Sequence, residues 1–555
     1  MMDNAFGEAS EQDGQVLIPV MISIVVISLW ILLRSFTATL LTTVIIAFSI
    51  AIALGLAGWL KMALSPTSVA SPNIILTLAV ADCVHLLSGF YRRARGGIDK
   101  KQAIMESFKA NFYAVLLTSL TTAIGFLSMN FSDAPPFRDL GNITAIGVFS
   151  AYILATTFLI SMMTFLPVSQ RMSVKKKTCA MEGFVAFLIR RTNSILIVSS
   201  LLIASLLTFI PSIELNDEFV KYFDKSIDFR VATDFATDRL TGIYYIDFAV
   251  DSGQPSGISK PEYINRLEQF SNWLRAQPEV LHVFSITDII KRLNKNMHGD
   301  DPAFYKLTDN KTLTAQYLFL YEMSLPFGLD LNDRIDIDKS STRLTATLKN
   351  LSSQEVLDLE NRSRDWIESN GFDKETTYAT GTTIMFAHIG QRNIQTMLIG
   401  TVIALLLISL ILIIALRSIK IGFISLIPNL VPAAMAFGLW GLLVGQVGLA
   451  VSVVAAMTLG IVVDDTVHFL SHYLHAKRTL QQNTETAVHY AFSNVGTALL
   501  ITSFVLVAGF SVLAFSSFEI NASMGALTAI AIVFALVADF LFLPTLLLKV
   551  ERLKK

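Results

Sequence analysis

The sequence predicts a polytopic α-helical membrane protein, a duplicated bundle of about eleven spans with one α+β external domain. Three observations predict it. The 555 residues are 53% hydrophobic and 16% charged, with a mean hydropathy of +0.57, whereas soluble domains are about a quarter charged. Apolar runs long enough to cross a bilayer, about 20 residues each, occur eleven times. Two blocks of the chain also repeat one another at a fixed offset.

The runs lie at roughly 16–33, 37–60, 70–91, 112–131, 142–167, 192–211, 396–416, 420–442, 448–472, 494–515 and 521–548. Basic residues then set the orientation. Arg34, the cluster Arg92, Arg93, Arg95, Lys100 and Lys101, the run Arg171 to Lys177 with Arg190 and Arg191, Arg417 with Lys420, Lys477 with Arg478, and the tail Lys549 to Lys555 share one side. By the positive-inside rule this basic side is cytoplasmic. The expected organisation is an external tail at 1–15, a first five-span repeat at 16–168 and a cytoplasmic linker at 169–191. A lone span at 192–211, an external α+β domain at 212–395, a second five-span repeat at 396–548 and a basic tail at 549–555 complete it.

The duplication rests on short matches. "LRS" at 33–35 recurs at 416–418, "GLAG" at 55–58 is echoed by "GLWG" at 438–441, and "DCVHLLS" at 82–88 by "DTVHFLS" at 465–471, all 383 residues on. "LTS" at 117–119 and "ITS" at 501–503 follow at 384. Such duplication is common among secondary transporters. The second repeat is preceded by a span and a large polar segment, the first by fifteen residues, so the chain begins about where such a preface would end. Truncation, a separate N-terminal polypeptide and a natural short form all account for this.

In the polar segment, 243–251 and 280–288 read as strands and 261–277 as a proline-started amphipathic helix. The stretches 342–350 and 353–371 repeat the strand–helix theme, with Ser353 as N-cap and Gly371 as a stop. The pattern is that of a split βαβ domain. Residues 290–340 carry no clear pattern.

The chemistry sits in "GIVVDDTVHFLSHY", residues 460–473, and its counterpart around Asp82. A carboxylate at the bilayer centre costs about 3 kcal/mol on insertion scales, and such residues normally face the bundle interior and mark ion pathways. Asp82 and His85, and Asp465 and His468, are three apart, and Asp464 and His468 four apart, so each acid shares a helix face with an imidazole. An acid beside an imidazole can hand a proton between the two, which makes Asp465, Asp464, Asp82, His468 and His85 the candidate proton relay. The bland alternative is buried polar glue between helices. Thr502, Ser503, Thr118 and Ser119 recur in the next span of each repeat; they either support the carboxylates or bond back to their own helices. Gly460, Gly438, Gly441, Gly55 and Gly58 read as helix-packing positions. Pro428 and Pro432 read as loosening their span.

Several classes drop out. The net charge of −1 gives no reason to expect a nucleic-acid partner. Two cysteines, Cys83 and Cys179, build no disulfide framework in the polar segment. The sequence has no phosphate loop, dinucleotide fingerprint, HExxH or CxxC, so ATP, a cofactor and a metal are not expected, nor is enzymatic activity. An ion gradient of protons or sodium remains as the energy source.

"GIVVDDTVHFLSHY" resembles the GxxxD[DY] signature of the MMPL-type branch of the resistance–nodulation–division superfamily, which also relates to the sterol-sensing domains of Patched and Dispatched proteins. "IPNLVP" at 427–432 resembles the matching helix of that group. The resemblance covers nearly the whole chain. It implies a proton-driven exporter of hydrophobic or amphiphilic molecules such as lipids or drugs in a bacterial inner membrane, with the large domain periplasmic. It also implies contact with membrane lipids, and leaves room for a periplasmic accessory protein, an oligomer or a separate N-terminal fragment. Gly460, Asp464 and Asp465 match the motif. In the first repeat Ala81 stands in place of the first acid and only Asp82 remains, so the implied relay is asymmetric. The family forms its substrate route from two external domains, and one is read here. A SecDF-like protein-export motor and a non-transporting lipid sensor are the alternatives.

Overall fold

The computed structural model describes residues 2–95, 97–166, 175–216, 218–326, 331–373 and 375–552. The basic residues expected at 171–174 and 554–555 lie outside them. Among the described residues, eleven helices are long and apolar enough to span a bilayer, and the chain is a multi-pass membrane protein. It divides into a membrane unit (Met1–Glu214, Tyr222–Ile227 and Arg392–Lys555) and an α+β unit (Leu215–Lys221 and Asp228–Gln391).

The first repeat comprises α1 (Met2–Leu33), α2 (Phe36–Trp59), α3 (Ser71–Arg95), α4 (Lys100–Leu127) and α5 (Pro135–Leu154). A π-helical turn at Ala155–Leu159 continues α5 into α6 (Ile160–Phe165). The expected tail at 1–15 is corrected here: α1 is 32 residues, about 48 Å at 1.5 Å per residue, against a hydrocarbon core of about 30 Å. Its polar start is held in place. Asp13 accepts hydrogen bonds from the backbone N–H and hydroxyl of Ser517 at 2.9 and 3.0 Å, and Phe6 packs on Phe223 and Phe518. Over its described part the linker at 169–191 forms α7 (Lys175–Arg190), which packs Val185 and Leu188 beside Phe469 and Phe492. The lone span is α8 (Thr192–Leu207).

The α+β unit folds around four antiparallel strands: β1 (Tyr244–Asp251), β2 (Val280–Phe284), β3 (Ser341–Leu348) and β4 (Tyr378–Thr380), in the order β2-β3-β1-β4. After α9 (Asp228–Arg239), α10 (Pro261–Arg275) connects β1 to β2 and α13 (Ser353–Ser369) connects β3 to β4, the split βαβ arrangement. Between β2 and β3, where the sequence carried no pattern, the chain forms α11 (Ile286–Met297) and α12 (Lys311–Ser324). Alternate residues of β3 are buried, and Phe270 of α10 stacks on Trp366 of α13 at 4.9 Å. The N-cap of α13 is Ser352, not Ser353. Its hydroxyl accepts from the N–H of Glu355, whose carboxylate accepts from the N–H of Ser352 at 2.8 Å, a closed capping box. Ser352→Ala is expected to cost about 1 kcal/mol, read as a lowered melting temperature.

The second repeat comprises α14 (Thr382–Leu416), α15 (Ile419–Leu443), α16 (Leu449–Arg478), α17 (Thr484–Leu513) and α18 (Glu519–Val537), the last continued by a π-turn at Ala538–Phe542 into α19 (Leu543–Arg552). The α15 helix runs unbroken through Pro428 and Pro432. The duplication is structural as well as textual. Both "LRS" segments make the same corner, with Arg34 and Arg417 at φ of 49° and 47° and Ser35 and Ser418 capping the next helix. The two π-turns are also 383 residues apart.

Candidate functional site

The site forms where the two repeats meet, because small residues there let backbones approach. Gly125 of α4 lies against Gly460 of α16; a Cβ added at Gly125 would stand 2.8 Å from the Gly460 Cα. The hydroxyl of Thr122 donates to the Gly460 carbonyl at 2.8 Å, tying the same two helices. The counterpart crossing places Gly509 of α17 against Thr77 of α3. Gly438 and Gly441 face Leu206, Phe209 and Ile213. Gly55 and Gly58 are a correction: both are exposed, nothing lies within 4 Å of a Cβ built on either, and Ala53 and Ala57 supply that helix's buried face instead.

These crossings bury every carboxylate and imidazole expected of the relay. Asp82 accepts from Ser119 at 3.2 Å, and Asp465 from Ser503 at 2.8 Å. The two pairs are equivalent across the duplication. Thr118 and Thr502 donate back to carbonyls of their own helices, at 3.1 Å to Val115 and to Ala498, while their hydroxyls border Asp464 and Asp465. Residues 464 to 466 fan out at about 100° per residue. Asp464 faces Thr118 in the first repeat, Asp465 faces α17, and Thr466 reaches the last span. Between Asp82 and Asp464 lies a cavity of about 20 Å³, lined also by Thr118, Ser119 and Thr122, enough for one water.

His85 and His468 meet face to face, with ring centroids 3.6 Å apart and planes 4° apart. They occupy equivalent positions, so the stack marks the pseudo-twofold axis. None of the four ring nitrogens has a hydrogen-bond partner, and His468 Nε2 lies 3.5 Å from Asp464. One ligand atom each from His85, His468 and Asp464 falls within 4.8 Å of the others. A metal must lie near the plane of each imidazole it binds, about 2.0–2.1 Å from the nitrogen. Two parallel planes 3.6 Å apart share no such point, so the stacked pair is not arranged to hold one ion.

Asp539 went unrecognised in the sequence. It is the sole charged residue between 520 and 548, and its Oδ1 accepts from the Thr466 hydroxyl at 2.7 Å. Being a lone acid in an apolar run was the available signal. It has no acidic counterpart, since Thr156 stands 383 residues earlier. Away from the acids, α2, α4 and α5 frame an apolar groove of about 790 Å³, lined by Ile52, Leu56, Leu120, Phe149 and Ile153 with Asn142 as a polar contact.

The profile of the MMPL family matches residues 4–194 and 337–553. "Putative membrane protein MJ1562" of Methanocaldococcus jannaschii is 28% identical over 317 residues, covering 57% of this chain and 78% of that protein. Among solved structures, the cryo-EM structure of the hedgehog release protein Disp from the water bear Hypsibius dujardini aligns with a TM-score of 0.69. That alignment covers 98% of this chain and 71% of the other at 13% identity, a likeness of fold.

Proposed function

The chain belongs to the MMPL family of membrane transport proteins, and from that membership we propose that it is a proton-driven exporter of hydrophobic or amphiphilic molecules such as lipids or drugs. The observation that carries the reading is the pair of equivalent acid–hydroxyl contacts, Asp82 with Ser119 and Asp465 with Ser503, buried on either side of the axis. An ionised carboxylate in this dry setting needs donors that a neutral carboxyl does not. Loading or releasing a proton therefore changes which hydroxyls Asp465, Asp464 and Asp82 hold, and with that the packing of α3, α4, α16 and α17. His85 and His468, stacked about one helical turn from Asp82 and Asp465 toward the basic side, complete the relay. A charge moved through 100 mV supplies about 2.3 kcal/mol per cycle. The apolar groove on α2, α4 and α5 suits an acyl or isoprenoid chain. The α+β unit would lie on the periplasmic side of the inner membrane.

Reconstitution tests this directly. Export of a fluorescent amphiphile from proteoliposomes is expected to follow an imposed pH gradient and to stop when a protonophore collapses it. Export driven by a sodium gradient alone would replace the proton with sodium. Amphiphile binding that ignores both gradients would replace the exporter with a lipid sensor.

A further inference from the structure

Asp539 is a buried acid of the membrane unit that this relay leaves unused. Its residue is 1% exposed. It lies thirteen residues before Arg552 and Asp465 thirteen before Arg478, the two helix ends on the basic side, so both acids sit at one depth. Thr466 joins them, being the next residue after Asp465 and the hydroxyl donor to Asp539.

The surroundings of Asp539 satisfy neither of its protonation states. Thr466 spends its hydrogen on Oδ1, while Oδ2 has no partner in the structure. An ionised carboxylate would need a second donor there, and a neutral one an acceptor. Asp465 is placed in the same way, with Oδ2 on Ser503 and Oδ1 unpartnered. None of the ion pairs among the described residues neutralises Asp539. The neighbouring helices explain why. The α8 helix carries no titratable residue; the one on α15 is Lys420, the described ones on α7, whose Phe184 packs on Phe540, include Glu182 and Arg190, and those on α17 are Glu485, His489 and Tyr490, all near the basic side. The α16 helix brings Asp464, Asp465 and His468 at the depth of Asp539. Two or three ionised carboxylates without a cation are strongly unfavourable in such a setting.

The backbone adds an independent observation. Asp539 sits in the π-turn Ala538–Phe542, and π-turns inside helices occur frequently at functional sites. The first repeat keeps the turn without the acid, and Thr156 there donates to the Tyr152 and Ile153 carbonyls of its own helix at 2.8 and 3.2 Å.

Resting on the proton-coupled reading above, we infer that Asp539 is a further proton-binding station of the second repeat, one that exchanges its proton with Asp465. The proton leaves the Asp539 carboxyl as its O–H bond breaks and is taken up by an Asp465 carboxylate or by water admitted on the basic side, so charge and atoms balance. The second repeat then carries three exchangeable carboxyls (Asp464, Asp465 and Asp539) against one in the first.

Infrared difference spectroscopy of the full chain in lipid nanodiscs, stepped in pH, reads protonated carboxyls through their C=O bands. Asp539→Asn is expected to lose one titrating band present in the unaltered protein, and Thr466→Val to shift that band by removing its hydrogen-bond donor. Thr466→Val leaves both acids in place and serves if Asp539→Asn fails to fold. Unchanged titrating bands in both variants would overturn the inference. If Asp465→Asn loses a band while the other two variants do not, only the Asp539 station falls; if no carboxyl band titrates in the unaltered protein, the proton relay falls with it.

Discussion

Asp465→Asn is expected to reduce export by at least a hundredfold while the protein is still made and folded. The substitution keeps the shape of the side chain, and the amide oxygen can still accept from Ser503, the 2.8 Å contact of the carboxylate. It removes the capacity to take up and release a proton. Positioned proton-transferring groups typically contribute about 10²–10⁴-fold to the processes they serve, and the lower end of that range sets the expectation. Stability should hold or rise, because replacing a buried uncompensated charge with a neutral group is often favourable. Amphiphile export in proteoliposomes, beside melting temperature and gel-filtration profile, separates the two effects. Near-normal export by a well-folded Asp465→Asn protein would remove the acid from the mechanism.

Gly125→Val should be the most damaging substitution for folding. The added Cβ would meet the Gly460 Cα at 2.8 Å, its nitrogen at 3.0 Å and the Ala456 carbonyl at 3.1 Å. All three are backbone atoms, so no side chain can turn aside, and the two helices must separate. Overpacking usually costs about 1–3 kcal/mol, occasionally more, and the upper end applies here. The helices being forced apart also carry Ser119, Asp464 and the Thr122 hydrogen bond. Gly55→Ala is the control, since a Cβ there meets nothing. It should leave the protein unchanged or stabilise it by up to about 1 kcal/mol through helix propensity. Equal melting temperatures for the two variants would show that the close crossing carries no stability.

The duplicated glycines show how far the sequence could be read. "GLAG" and "GLWG" repeat at one offset, yet Gly438 and Gly441 pack against Leu206 and Phe209 while Gly55 and Gly58 meet nothing. A small residue permits close approach, but a neighbour must be there to use it, and neighbours are a tertiary property. The spans were legible because a bilayer demands long apolar runs. The first fourteen residues of α1 were not, since their polar composition reads as a tail and their order comes from Asp13 and Phe6 contacts hundreds of residues away in sequence. The acids of the site were legible from their duplication and their spacing to histidine. Asp539 was overlooked because it is unduplicated and stands outside any motif. The π-turn that carries it has no signature in the sequence. The stacking of His85 on His468 follows from how α3 and α16 cross, which spacing along one helix does not encode.

That stack has a consequence for how the halves of this molecule can diverge. A residue on a twofold axis meets its own copy, so in an ancestor assembled from two identical chains any change at that histidine would have altered both faces of the contact at once. Once the copies are fused, positions off the axis can differ, as Asp464 opposite Ala81 and Asp539 opposite Thr156 do. The axis position is still coupled to its twin, because two rings held 3.6 Å apart leave no room for one to change size alone. The imidazole pair is thus the place where a change in one copy meets the other directly, while positions off the axis carry no such coupling.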